Sequence, residues 1–218
     1  GGGDPFLAVA DYADKYAAAR AEAPRTYSSL ETLADAVAAK GVRFVTGSIV
    51  GDESRYDSVR FGPTWKASYA TLGEVGPQSA LSVNHGFSVY FPTVVAAESP
   101  PQNAAEVFAR LLNERGVAIL GPARAGTTPA GTVELASLDS FPMAQLVGEM
   151  MRHSDNLAAE LLLKEMGART TAQQGTTAAG VASMLDALSA LGLDRNAIAT
   201  VDGSGLDRSD RATCGVLA

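Results

Sequence analysis

The sequence predicts a mixed α/β chain, and three observations carry the prediction. β-Branched runs bounded by glycine turns recur up to about Ser137, helical apolar spacing separates them, and the composition turns almost wholly helical afterwards. In the first part, Leu30, Leu33, Ala34 and Val37 fall on one helical face between Ser29 and Lys40, and Gly41 supplies a left-handed stop. Val42–Val50 reads as a strand, and Gly51-Asp52-Glu53-Ser54 as a turn. Arg60 to Pro77, with two prolines, three glycines and Trp65, shows no periodicity and reads as a long surface loop. Ser79 to Phe91 reads as strand.

Asn103 begins a helix that runs to Arg115, with Glu106 three residues after it as in a capping box and Val107, Phe108, Leu111 and Leu112 on one face. Gly116 ends it, and Val117–Leu120 is a short strand. A Gly, Pro and Thr loop covers Gly121 to Thr128, and a further strand is predicted near Thr132 to Leu138. Helices are then predicted over Met143–Arg152, Asn156–Met166 and Thr177–Leu191, with a strand at Ala197–Val201 and a glycine turn at Asp202–Gly205. The chain therefore divides into residues 1–137 and 138–218.

Bulk properties exclude several function classes. With 218 residues, 46% of them apolar, the chain can bury a substantial core. No run approaches the ~18 apolar residues of a membrane span. The net charge of −7 comes from dispersed acidic residues and offers no footprint for nucleic acid. Cys214 is the single cysteine, so no internal disulfide forms, which suits either the cytoplasm or the cell envelope. His85 and His153 lack a Cys, Asp or Glu at ligand spacing, so no metal is expected, and no other cofactor is implied. Gly1-Gly2-Gly3 has no Gly-Lys-Thr or Gly-Lys-Ser after it and is no phosphate loop, and no Gly-x-Ser-x-Gly elbow exists.

The segment MMRHSDNLAAELLLKEMG carries the chemistry. Ser154-Asp155-Asn156 sits between two predicted helices, where Ser, Asp and Asn are also preferred caps. A serine hydroxyl at such a turn can pass a proton to a departing amine, and an asparagine amide can donate to a carbonyl and accept from an ammonium. Ser-Asp-Asn is the second motif of a set whose others are Ser-x-x-Lys and Lys-Thr-Gly. The four lysines are Lys15, Lys40, Lys66 and Lys164, and Tyr12, Val37, Pro63 and Leu161 lie three residues before them. Tyr16, Gly41, Ala67 and Glu165 follow them, so both companion motifs are absent and the chain holds no acyl-enzyme nucleophile.

Separated segments resemble, in order, the class C (type-4) penicillin-binding proteins, the serine DD-peptidases of peptidase family S13. They are Gly1-Gly2-Gly3-Asp4-Pro5, LADAVAAKGVRFVTGSIVGDESRYD, Pro77-Gln78-Ser79-Ala80-Leu81-Ser82-Val83-Asn84, RHSDNLAAELLLKEMG, and Val201-Asp202-Gly203-Ser204-Gly205-Leu206-Asp207-Arg208. The resemblance implies an inserted α/β domain over residues 1–137 and the helical part of a β-lactamase-like or transpeptidase-like domain over 138–218. It implies an incomplete fold, a central fragment whose two missing motifs lie outside these residues.

By the same resemblance, Ser154 relays a proton to the leaving D-Ala amine, Asn156 holds the substrate amide and a catalytic lysine, and Asp155 fills a variable position. Ser204 and Arg208 become contacts to the substrate, while Asp202, Gly203 and Gly205 serve equally well as a tight turn. The family's acidic and aromatic residues after the inserted-domain tryptophan have no clear counterpart, since Lys66-Ala67-Ser68-Tyr69 follows Trp65 and Glu74 comes later. The short stretch from Phe91 to Gln102 leaves no room for a third, β-rich domain. The implied activity is D-Ala-D-Ala carboxypeptidase, with endopeptidase action as an addition, on peptidoglycan stem peptides outside the cytoplasm, with β-lactams as inhibitors. The fragment alone is expected to be inactive, and an apolar face meant for an absent sheet favours a homodimer. The rival expectation is a non-catalytic envelope module that binds peptidoglycan or a partner.

Overall fold

The computed structural model describes residues 2–20 and 25–217, so Gly1 of the opening glycine run lies outside the described residues. Strands β1 (Leu7–Ala8) and β2 (Ser28–Ser29) pair in parallel, with helix α1 (Ala10–Arg20) between them in the chain. The sequence reading predicts no helix there. The segment has no large aliphatic residues at helical spacing, and its buried face is Tyr12, Tyr16 and Ala17 among alanines. Helix α2 (Leu30–Ala39) starts where the Ser29 hydroxyl accepts from the Thr32 N–H at 3.2 Å, and Gly41 at φ +81° turns the chain out of it.

The predicted strand over Val42–Val50 is two short pieces, β3 (Phe44–Val45) and β4 (Val50–Gly51). One helical turn, α3 (Ser68–Thr71), interrupts the long loop. The expected strand from Ser79 to Phe91 reduces to β5 (Phe87–Val89), because Asn84, His85 and Gly86 take positive φ in succession and break the extended backbone. β6 (Val95–Ala96) pairs antiparallel with β5.

Helix α4 (Pro100–Glu114) begins three residues before the expected cap. Proline occupies its first positions, and Asn103 donates its backbone N–H to Ser99 O at 2.9 Å, inside the first turn. β7 (Ala118–Ile119) pairs in parallel with β3, and β8 (Arg124–Ala125) in parallel with β4. Helix α4 is thus the crossover of a parallel unit, packed on β4, β8 and α2. No strand forms at Thr132–Leu138. That stretch finds no ladder partner among the described residues and leaves Val133 91% exposed.

The helical part holds α5 (Met143–His153), α6 (Asn156–Thr171) and α7 (Thr177–Ala190). Then come the antiparallel pair β9 (Ile198–Ala199) and β10 (Arg211–Ala212), and a final turn α8 (Cys214–Leu217). α6 and α7 pack most closely at Gly180, where a Cβ would collide with the Leu163 carbonyl. One core lies between α1, α2 and α4 around Ala34, Val83, Leu112 and Val117. A second joins Tyr56, Val75 and Ala80 to Leu157 and Leu161, so the long loop packs directly on α6 behind the Ser-Asp-Asn turn. A third closes Phe6 against Leu146 and Ala158.

Candidate functional site

The turn between α5 and α6 is built by three residues with three different tasks. Ser154 ends α5 in the left-handed region, at φ 50° and ψ 50°, which costs a residue with a Cβ about 1–2 kcal/mol. That reversal lets the Asp155 N–H donate to Met150 O at 2.9 Å, and Asp155 then caps α6 by accepting from the Ala158 N–H at 3.0 Å. Ser154 stays exposed, Asn156 is half-buried, and Asp155 is buried.

Asp155 is the constrained member of the triplet. Its Oδ2 receives His85 Nε2 at 2.9 Å and Arg25 Nη1 at 3.0 Å, with only 4% of its side chain exposed. Burial pushes the Asp155 carboxyl upward, but the charge and hydrogen bond of His85, the Ala158 N–H and Arg25 outweigh it and bring the pKa down to about 2. The imidazole also meets the Tyr12 hydroxyl through Nδ1 at 3.0 Å and stacks on Tyr16, with centroids 5.1 Å apart and planes 13° apart.

Ser154 and Asn156 line a narrow cleft of about 30 Å³ together with Glu74, Gly76, His85 and His153. The Asn156 amide donates one N–H to Glu74 O at 2.9 Å, which fixes its plane and leaves its Oδ1 as an acceptor at the cleft. Such a cleft admits a group of about the size of one water beside a neutral relay. Among the described residues no lysine borders it, and Lys164 is fully buried elsewhere, donating to Asp57 Oδ1 at 2.5 Å and Val59 O at 2.9 Å.

The Asp202–Arg208 loop is organised by carboxylates. Asp202 accepts from the Gly205 N–H on Oδ1, and from the Asp207 N–H and the Trp65 indole N–H on Oδ2, each at 2.8 Å. Glu160, buried on α6, accepts from the Gly203 and Ser204 N–H groups at 2.8 Å. Burial raises the Glu160 pKa, and the Asp202 charge adds to that against the lowering effect of these donors. Asp202, Glu160, Trp65, Gln78 and Val181 also line a cavity of about 570 Å³.

The structure therefore brings Ser154 and Asn156 together at one cleft, while Ser204 and Arg208 line neither that cleft nor the larger cavity. Ser204 is tied to Glu160 through its backbone, and Arg208 is exposed. Tyr69 packs against the second core, and Glu74 reaches the site through its backbone carbonyl. Sequence reasoning missed Arg25, His85 and Glu160. Only the turn-like Asn84-His85-Gly86 run inside an otherwise strand-like stretch hinted at one of them.

Residues 88–218 match the D-Ala-D-Ala carboxypeptidase 3 (S13) family, over more than half of the chain. The chain belongs to this family. It is 28% identical over 190 residues to carboxypeptidase DacB of Mycolicibacterium smegmatis, a match covering 84% of this chain and 39% of that protein. It is 26% identical over 271 residues to the D-alanyl-D-alanine carboxypeptidase of Actinomadura sp., covering 92% and 50%. The S13 chain described here thus spans half or less of these two relatives. In fold it is similar to penicillin binding protein 4 (dacB) from Haemophilus influenzae, with a TM-score of 0.77 at 18% identity over 99% of this chain and 58% of that one. A crystal structure of that protein complexed with a β-lactam gives 0.66 at 16% identity.

Proposed function

We propose that this chain is the central part of a serine D-Ala-D-Ala carboxypeptidase acting on peptidoglycan stem peptides through an acyl-enzyme. The observation that carries the reading is the Ser154-Asp155-Asn156 turn. Its two chemically able side chains open on one cleft while the residue between them is locked inward. S13 membership and the names of the curated relatives support the same reaction class.

In the proposed reaction a serine hydroxyl from a Ser-x-x-Lys sequence attacks the carbonyl of the penultimate D-Ala. Ser154 relays a proton to the departing D-Ala amine, and water then hydrolyses the ester. Asn156 holds the substrate amide and the ammonium of the catalytic lysine, a task that suits an amide already fixed in plane by Glu74 O. The nucleophile and the Lys-Thr-Gly sequence belong to flanking chain, so these residues alone do not turn over substrate. Ser204 and Arg208 are proposed contacts to the far end of the stem peptide, with exposed Arg208 free to meet a carboxylate.

The domain division proposed is an inserted unit over 1–137 and peptidase helices over 138–218. The substrate places the protein outside the cytoplasmic membrane, and β-lactams, which mimic the scissile peptide, are its proposed inhibitors. Exposed Met143, Met151 and Leu191 supply apolar surface for a homodimer of the isolated chain.

Labelling with a fluorescent penicillin tests the reading on the complete gene product, this chain and a complete Ser154→Ala variant. Covalent label on the complete protein, none on this chain, and slowed deacylation or acylation in the variant are expected. A folded complete protein that takes no label would replace the enzyme with a peptidoglycan-binding module.

A further inference from the structure

A helix cap needs one oxygen, and Asp155 spends only Oδ1 on that task. Its Oδ2 is held by two side chains that come from far along the chain, His85 and Arg25. His85 is itself held in a demanding conformation, with φ 52° after Asn84 at φ 57° and before Gly86 at φ 75°. Two consecutive left-handed residues bearing side chains persist only where their surroundings fix them. Here the Asn84 side chain accepts from the Val9 N–H at 3.0 Å, and α1 provides an aromatic shelf. Tyr16 stacks under the imidazole and lies 4.7 Å from the Arg25 guanidinium, and the Tyr12 hydroxyl meets Nδ1.

Across the His85–Asp155 bond a second strained residue follows, Ser154 at φ 50°. Releasing Asp155 would free the turn to relax toward ordinary backbone angles. Ser154 Oγ would then swing relative to Asn156, whose plane is set separately by Glu74 O. A displacement of about 1 Å in a relay group is enough to cost on the order of a hundredfold in rate.

We propose that His85 and Arg25 are positioning residues for the Ser154–Asn156 pair. Anchored on the aromatic shelf of α1, they clamp Asp155 and so set the geometry of a turn to which they do not belong. This rests on the reading of that turn as part of an acyl-transfer site. It assigns the segment before residue 137 a task, to pre-set the catalytic turn, and it makes the middle residue of the triplet the anchor.

The test uses the complete gene product as wild type, His85→Ala and His85→Gln. Two readouts are taken: the saturating rate of acylation by fluorescent penicillin, and hydrogen exchange at the Ala158 amide, which Asp155 caps. His85→Ala is expected to lower the saturating rate at least tenfold and to speed Ala158 exchange at least tenfold. His85→Gln, whose amide can still donate to Asp155, is expected to recover the rate to within about threefold.

Unchanged acylation in a folded His85→Ala protein overturns the proposal. Slowed acylation without faster Ala158 exchange also overturns it, because the effect then bypasses Asp155. If His85→Ala does not fold, His85→Phe keeps the stack on Tyr16 without the hydrogen bond and is judged by the same criteria. If the wild type takes no penicillin, the acyl-transfer reading fails by itself. The exchange comparison then decides the clamp, with equal exchange in both proteins overturning it.

Discussion

His85 Nε2 lies 2.9 Å from Asp155 Oδ2, a contact that joins residues 70 positions apart and links the first core of the chain to the cap of α6. Two left-handed residues, His85 and Ser154, stand on either side of it. Both partners of this bond line the cleft between α5, α6 and the Gly73–Gly76 backbone.

Acid should undo that bond. A carboxyl near 3.8 when unfolded and about 2 when folded contributes stability that is full above about pH 4 and is lost as pH falls through 2. The amount is about 2 kcal/mol. Urea unfolding between pH 5 and pH 2 should show the loss, and Asp155→Asn, which keeps an N-cap oxygen, should flatten it. An Asp155→Asn protein with the same acid dependence as wild type would assign the loss to other groups.

Ser154→Gly should stabilise the folded chain by about 1 kcal/mol, because glycine accepts φ 50° without the Cβ penalty that serine bears. The same change removes the hydroxyl, so the complete protein should slow in acyl transfer while its melting temperature rises. A fall in melting temperature would mean that the Ser154 side chain itself holds the turn.

Asp202→Ala should cost about 3 kcal/mol, since it orphans the Gly205 and Asp207 N–H groups and the Trp65 indole N–H together. Trp65 is the single tryptophan and borders the large cavity, so its emission should move to longer wavelength on the substitution. Unchanged emission and stability would show that the loop holds its shape without this carboxylate.

Removing Asp57 should hurt more than removing Lys164. Asp57→Ala leaves a fully buried ammonium with only the Val59 carbonyl and should cost about 3 kcal/mol, whereas Lys164→Met fills the same volume and leaves a partly exposed carboxylate that water can reach. Denaturant melts of the two variants give the comparison directly, and the reverse order would contradict it.

Elements whose partners lie within the segment are legible in the sequence, and those whose partners are distant are not. Helices α2, α5, α6 and α7 were legible because their apolar spacing or caps lie within the segment itself, as with Ser29 before α2 and Asp155 before α6. Helix α1 was not, since Tyr12 and Tyr16 become a core face only once His85 and Tyr90 pack on them. The extended run at Thr132–Leu138 misled for the opposite reason: β-branched residues favour a strand, but a strand forms only against a neighbour. Residues 84–86 failed as strand because their backbone serves the His85 contact.

By itself the sequence determined the mixed α/β class, the Ser-Asp-Asn turn between two helices, and the lack of a Ser-x-x-Lys or Lys-Thr-Gly sequence, all matters of local order that residue types and spacing encode. Only the tertiary structure decided which member of the triplet points inward. It placed Arg25, His85 and Glu74 around that turn and made Asp202 and Glu160 the organisers of the loop that holds Ser204 and Arg208. The physical reason is range. A cap or an apolar stripe is settled within a few residues, whereas a buried carboxylate is tolerated only where distant donors converge on it, and that convergence exists only in the folded chain.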